Sequence, residues 1–278
     1  MKNEHIFLHP LPNVEVELSP YGAGLVSYKI DGVDMVNPGP WDFDSKNEGY
    51  NGQFVAPLVG RIQNGKLGKF VFPLNEGTKS LHSATLSVCW KKFECEIVEE
   101  KAQIDVVFVR QDEIFDGKFQ SVAHYVFSKE KPTFRLELSL ISDIDLPVNL
   151  TSHLYFTLGE AEMKDVMMTL PSSLRCEYDE QQIPLRFIPV EGKFDMRKGR
   201  HLDEPLDHAF LLDEKKLLAR GKRYEMTVTT SAKAVGIYRL PKAGFTLEFI
   251  DHPLLGEECI LPAGKSETMV AEYAFRRI

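Results

Sequence analysis

Apolar and polar residues alternate along most of this chain, the spacing of strands that bury one face in a core. Residues 134–141 show it most cleanly: Phe134, Leu136, Leu138 and Leu140 fall on one face, Arg135, Glu137 and Ser139 on the other. Residues 103–109, 121–127 and 224–230, rich in β-branched and aromatic side chains, predict further strands. Asp31-Gly32 suits the positive dihedrals of a tight hairpin turn, and Asp116-Gly117 offers the same chemistry. Helical spacing is scarce; residues 213–219 could make two turns of helix, and little else competes. Strands joined by turns, without long amphipathic helices between them, predict an all-β fold, a large antiparallel β-sandwich. The charged stretch 195–207 reads as a long loop, because strand-like sequence flanks it on both sides. Residues 1–278 are therefore expected to form a single domain.

Composition narrows the function classes. At 278 residues, 43% apolar and 27% charged, the chain can fill a sizeable core and cover its surface. A net charge of -8 argues against a nucleic-acid partner and an anionic membrane surface. A local basic pocket for a phosphorylated small molecule stays open. No apolar run approaches the roughly 20 residues of a membrane span, and the N-terminus lacks the apolar stretch of a secretory signal. A cytoplasmic protein is expected. Cys89, Cys95, Cys176 and Cys259 show neither Cys-x-x-Cys spacing nor a histidine pairing for zinc, which predicts free buried thiols.

Five places carry candidate chemistry. In residues 151–158 (Thr-Ser-His-Leu-Tyr-Phe-Thr-Leu), read as a strand, Leu154, Phe156 and Leu158 line one face and His153, Tyr155 and Thr157 the other. Histidine, with an ordinary pKa of roughly 6.5, gives or takes protons near neutrality; on this segment alone a surface or satisfied core histidine fits equally. Arg61, between Gly60 and the Asn64-Gly65 turn, is a permanently charged, multi-donor group suited to sugar oxygens or a carboxylate, or a plain surface arginine. His82 follows a glycine- and serine-containing loop and alone reads as a solvated histidine. Asp207 could accept hydrogen bonds from hydroxyls or cap a turn. Glu248 sits among Leu247, Phe249 and Ile250, where a carboxylate needs a partner or a raised pKa unless it lies at an exposed edge.

Taken in order, these segments resemble the aldose 1-epimerase (galactose mutarotase) family over nearly the whole chain. The early Gly-Ala-rich strand is matched at Tyr21 to Leu25, and Asn-Arg-Ile-x-x-Gly resembles residues 60–65. Leu-His-Gly-Gly resembles residues 81–84, and Thr-x-His-Pro-Tyr-Phe-Asn-Leu is close to residues 151–158. Asp-His-x-Phe is similar to residues 207–210, Leu-Glu to Leu247-Glu248, and the closing Leu-x-Pro-Gly and Tyr-x-Phe to residues 261–264 and 273–275. The resemblance implies a galactose mutarotase-like supersandwich that interconverts sugar anomers. Glu248 and His153 stand at the positions of its two proton-transfer groups; His82 looks placed to donate to the ring oxygen or a hydroxyl, and Arg61 and Asp207 to hold further hydroxyls. Chemistry of this kind needs no metal, nucleotide or flavin. No phosphate-binding glycine motif is present, and Gly22-Ala-Gly24 lacks the third glycine and following helix of a dinucleotide site.

The chain departs from the family pattern at Gly60, Ser83-Ala84, Leu154 and Thr157. These changes are expected to alter residues lining the pocket and leave the sugar open, which marks a divergent member. A hexose-6-phosphate mutarotase is the alternative enzyme, with Arg175, Arg186 and Arg200 as candidate phosphate contacts. A non-catalytic carbohydrate-binding or sensing protein on the same fold is the alternative of another class. A glycosidase would need two carboxylates flanking the scissile bond, and only Glu248 stands out. The expected partner is a small sugar, with the chain a monomer or homodimer.

Overall fold

The four alternating segments are all strands in the computed structural model, which describes residues 4–36, 50–240 and 244–278. Nine strands form the largest sheet, in the order Glu94–Glu99, Gln103–Ile114, Gly117–Ser128, Thr133–Ser142, Ser266–Arg277, Tyr224–Thr230, Lys216–Arg220, Met167–Thr169 and Arg200–His201. A second sheet runs through Tyr155–Phe156, Gly244–Thr246, Ala234–Leu240, Asp207–Leu211, Leu174–Tyr178 and Pro184–Pro189, with Glu248–Ile250 also paired to Ala234–Leu240. A third joins the N-terminal strands Ile6–Leu11, Val14–Ser19, Gly24–Ile30 and Val33–Asp34. Pairing within these sheets is antiparallel, so the fold is the all-β sandwich that the alternation predicts.

The buried faces meet in an aromatic stack. Phe134 and Tyr273 are cross-strand partners in the nine-stranded sheet, with ring centroids 4.7 Å apart. Tyr28 of the N-terminal sheet reaches Phe134 at 5.1 Å, while Phe156 and Phe249 of the second sheet reach Tyr273 at 5.2 and 6.3 Å. Burying rings of this size contributes about 1.5–3 kcal/mol each. Because strand side chains alternate, the neighbours of those two phenylalanines, Tyr155 and Glu248, face the other way.

Three local expectations change. Residues 213–219 do not form a helix: Lys216–Arg220 is a strand, in which Leu217 and Ala219 are buried between more exposed neighbours and Leu217 sits opposite Val228. Period-two burial outweighs helix propensity there. The Asp31-Gly32 turn forms as expected, with φ of 53° and 73° and Ile30 opposite Val33. The second turn is shifted by one residue, since Ile114 lies opposite Gly117 and the turn is Phe115-Asp116. Gly117 serves close approach instead, because a Cβ there would lie 2.5 Å from Ile144 Cγ2. The stretch 195–207 is mostly loop, interrupted by the short strand Arg200–His201. All four cysteines are free; three are buried, but Cys95 is exposed on an edge strand, contrary to expectation. No helix among the described residues is long and apolar enough to cross a membrane.

Candidate functional site

Residues 151–158 are not one strand. Thr151 and Ser152 pair with Val55 and Phe54, and Tyr155 and Phe156 then pair with Thr246 and Phe245. The chain changes partners at His153-Leu154, where His153 N–H donates to Gln53 C=O and Gly52 N–H donates to His153 C=O, both at 2.9 Å. Every residue from 151 to 158 is buried, so the alternation separates core from cleft rather than core from solvent. His153 and Tyr155 face the cleft; Thr157 instead donates its hydroxyl to Asp34 C=O at 2.9 Å.

The switch brings His153 Nε2 to 3.5 Å from Glu248 Oε1. Glu248 reaches the cleft from the short strand Glu248–Ile250, and its Oε1 accepts a hydrogen bond from Thr246 Oγ1 at 3.0 Å. His153 Nδ1 is buried without a hydrogen-bond partner among the described residues.

Arg61 opens the strand Arg61–Gln63, which pairs with Lys79–Leu81, and His82 follows directly after that partner. His82 is buried rather than solvated, its ring edge-on to His153 with centroids 5.7 Å apart. Its Nδ1 accepts from Gly60 N–H at 3.2 Å, leaving the ring proton on Nε2. Burial, with the neighbouring charges of His153 and Arg61, holds this imidazole well below its ordinary pKa, so it stays neutral. Arg61 donates from Nε to Glu76 Oε2 at 2.9 Å and lies 3.5 Å from Asp207 Oδ2. Burial opposes the guanidinium charge, but Glu76 and Asp207 outweigh it. Burial likewise acts to raise Glu76, yet the hydrogen bond and charge of Arg61, with Lys79 behind, carry its carboxyl below its ordinary value. Asp207 opens the strand Asp207–Leu211.

All five sequence candidates thus border one cleft of about 490 Å³, a size suited to a small ligand. Arg175, Arg186 and Arg200 do not converge on it. Arg175 stacks on Phe194 at 4.0 Å, Arg186 bonds Glu177 at 2.7 Å, and Arg200 lies 3.5 Å from Glu204. Glu76 and Thr246 are site residues without a sequence signal: one lies in an ordinary turn, the other looks like strand filler. Of the family departures, only Gly60 lines the cleft. Leu154 is core, and Ser83 Oγ is bound to the Leu58 backbone, which corrects the expectation that all of them reshape the pocket.

His82, His153 and Glu248 each offer one ligand atom, all within 4.8 Å of one another, a spacing that could converge on a cation. The groups behind these side chains do not fit one. A metal on His82 Nε2 would force the ring proton onto Nδ1, against Gly60 N–H, whereas metal-bound histidines direct their other N–H at an acceptor.

An antiparallel sandwich with a polar, ligand-sized cleft built from a histidine–carboxylate pair is the class that these features define. The chain belongs to the aldose 1-epimerase family, whose sequence model matches residues 8–252. Galactose mutarotase from Rattus norvegicus is 29% identical over 186 residues, 60% of this chain and 53% of that protein. Galactose mutarotase from Sus scrofa is 27% identical over 234 residues, 75% of this chain and 65% of that protein. The chain therefore spans between about half and two thirds of the length of these relatives. The crystal structure of galactose 1-epimerase from Lactobacillus acidophilus has the same fold, with a TM-score of 0.89 at 22% identity, covering 98% of this chain and 94% of that one.

Proposed function

We propose that the protein is an aldose 1-epimerase that interconverts the α and β anomers of an unphosphorylated aldohexose. The observation that carries this reading is the 3.5 Å separation of His153 Nε2 and Glu248 Oε1 inside the cleft. Anomer exchange moves protons at two oxygens borne on one carbon, so its acid and base must stand side by side. Glu248 takes the proton of the C1 hydroxyl while His153, in its imidazolium form, delivers the Nε2 proton to the ring oxygen and is left as neutral imidazole. The bond from C1 to the ring oxygen breaks, giving the open-chain aldehyde. Rotation about C1–C2 and reversal of both transfers close the other anomer and return each proton. His82 Nε2–H, Arg61 and Asp207 hold hydroxyls and fix the sugar for the transfer. Arg61 is the one Lys or Arg among the described residues lining the cleft, and Glu76 and Asp207 already flank it, which favours a sugar without phosphate.

Polarimetry of freshly dissolved α-D-glucose or α-D-galactose tests the reading. Catalytic amounts of protein should speed the approach to equilibrium, and Glu248→Gln or His153→Asn should return it to the uncatalysed rate with the fold intact. Faster equilibration of the 6-phosphates alone would favour the phosphosugar enzyme. No acceleration of either would leave a sugar-binding protein.

A further inference from the structure

Thr246 Oγ1 stands between two groups that decide which way its hydroxyl points. Tyr238 N–H donates to it at 3.0 Å, and it lies 3.0 Å from Glu248 Oε1. With the amide occupying a lone pair, the hydroxyl proton is directed at the carboxylate. The backbone register builds this arrangement. Gly236 pairs with Glu248 and Arg239 with Phe245, which sets Tyr238 opposite Thr246; there the Tyr238 amide bonds a side chain. Two residues apart on an extended segment, Thr246 and Glu248 share a face. Thr246 is fully buried.

We propose that Thr246 is a positioning residue whose hydroxyl, aligned by the Tyr238 amide, holds the Glu248 carboxylate turned toward His153. A hydrogen bond donated to a carboxylate favours its charged form. The other groups facing Glu248 are His153 and Tyr155 from residues 151–158, Arg61 and His82 from one end of their strand pair, and Tyr178 and Tyr238 from adjoining strands. Arg61 also favours the carboxylate, but it is shared with Glu76 and Asp207. His82 is neutral.

The inference rests on Glu248 being the base, so its test uses two readouts: the pH profile of anomer exchange and a 13C NMR titration of the Glu248 carboxyl. Thr246→Val keeps the shape and removes the hydroxyl. It should move the acidic limb of kcat/KM up by about one pH unit, with roughly tenfold loss on that limb and a smaller loss at pH 8. The NMR midpoint should move up by the same amount, and Thr246→Ser should restore both. Thr246→Ala carries the same expectation if the valine variant does not fold. An unmoved limb and midpoint, or an equal loss at every pH, overturns the proposal. A wild-type protein without mutarotase activity would instead overturn the assignment of Glu248 as base, while the NMR midpoint would still decide whether Thr246 holds the carboxylate.

Discussion

Gly60 and His82 exchange two hydrogen bonds: His82 N–H donates to Gly60 C=O at 3.0 Å, and Gly60 N–H donates to His82 Nδ1 at 3.2 Å. One residue thus fixes both the backbone and the tautomer of the other. Gly60 has φ of 103°, where side chains are strained. Gly60→Ala should cost about 1–2 kcal/mol in urea unfolding. By tilting the His82 ring it should also lower kcat/KM, read by polarimetry.

Ser83 carries a left-handed backbone, φ 62°, at a position where the family pattern has glycine. Its hydroxyl compensates: it accepts from Leu58 N–H at 3.1 Å and donates to Leu58 C=O at 2.9 Å, both buried. Ser83→Ala strands that amide and carbonyl and should cost about 2–3 kcal/mol. Ser83→Gly loses the same bonds but relieves the backbone, so it should be the milder change by roughly 1 kcal/mol. Denaturant midpoints of the two variants decide.

Glu76 holds Arg61 by a bond of 2.9 Å without being placed in the proton transfer. Glu76→Gln should therefore raise KM several-fold, consistent with about 1 kcal/mol for a partly exposed ion pair, and leave kcat nearly unchanged. Steady-state kinetics at two salt concentrations would show the wild-type advantage shrinking as salt rises.

Acid should destabilise the fold through its buried neutral histidines. Burial, then Arg175 and Lys193, push His208 down to about 4. The unfolded chain then binds the extra proton first, so stability is intact above roughly pH 6.5 and falls toward pH 4. His208→Asn removes one such proton. The stability difference between pH 7 and 4.5 should shrink by about 2 kcal/mol relative to wild type, measured by urea unfolding at both values.

Residues 134–141 are legible in sequence because one of their faces is core and the other is not. Residues 151–158 look the same but are buried on both faces, and the partner switch at His153 leaves no trace in the alternation. Arg61, His82, Asp207 and Glu248 stand out because polar groups with special chemistry interrupt apolar or turn patterns. Glu76 and Thr246 do not, since their roles depend on what folding sets beside them, a guanidinium from 15 residues away and an amide from the next strand.

The nine-stranded sheet lends no side chain to the cleft, yet its Tyr273 ring touches both Phe156 and Phe249. Those two phenylalanines lie within a few residues of His153 and directly beside Glu248, on separate short strands. Tyr273 therefore acts as a spacer gauge for the pair from behind. Drift there would reach the distance between His153 and Glu248 without altering a single side chain that lines the cleft.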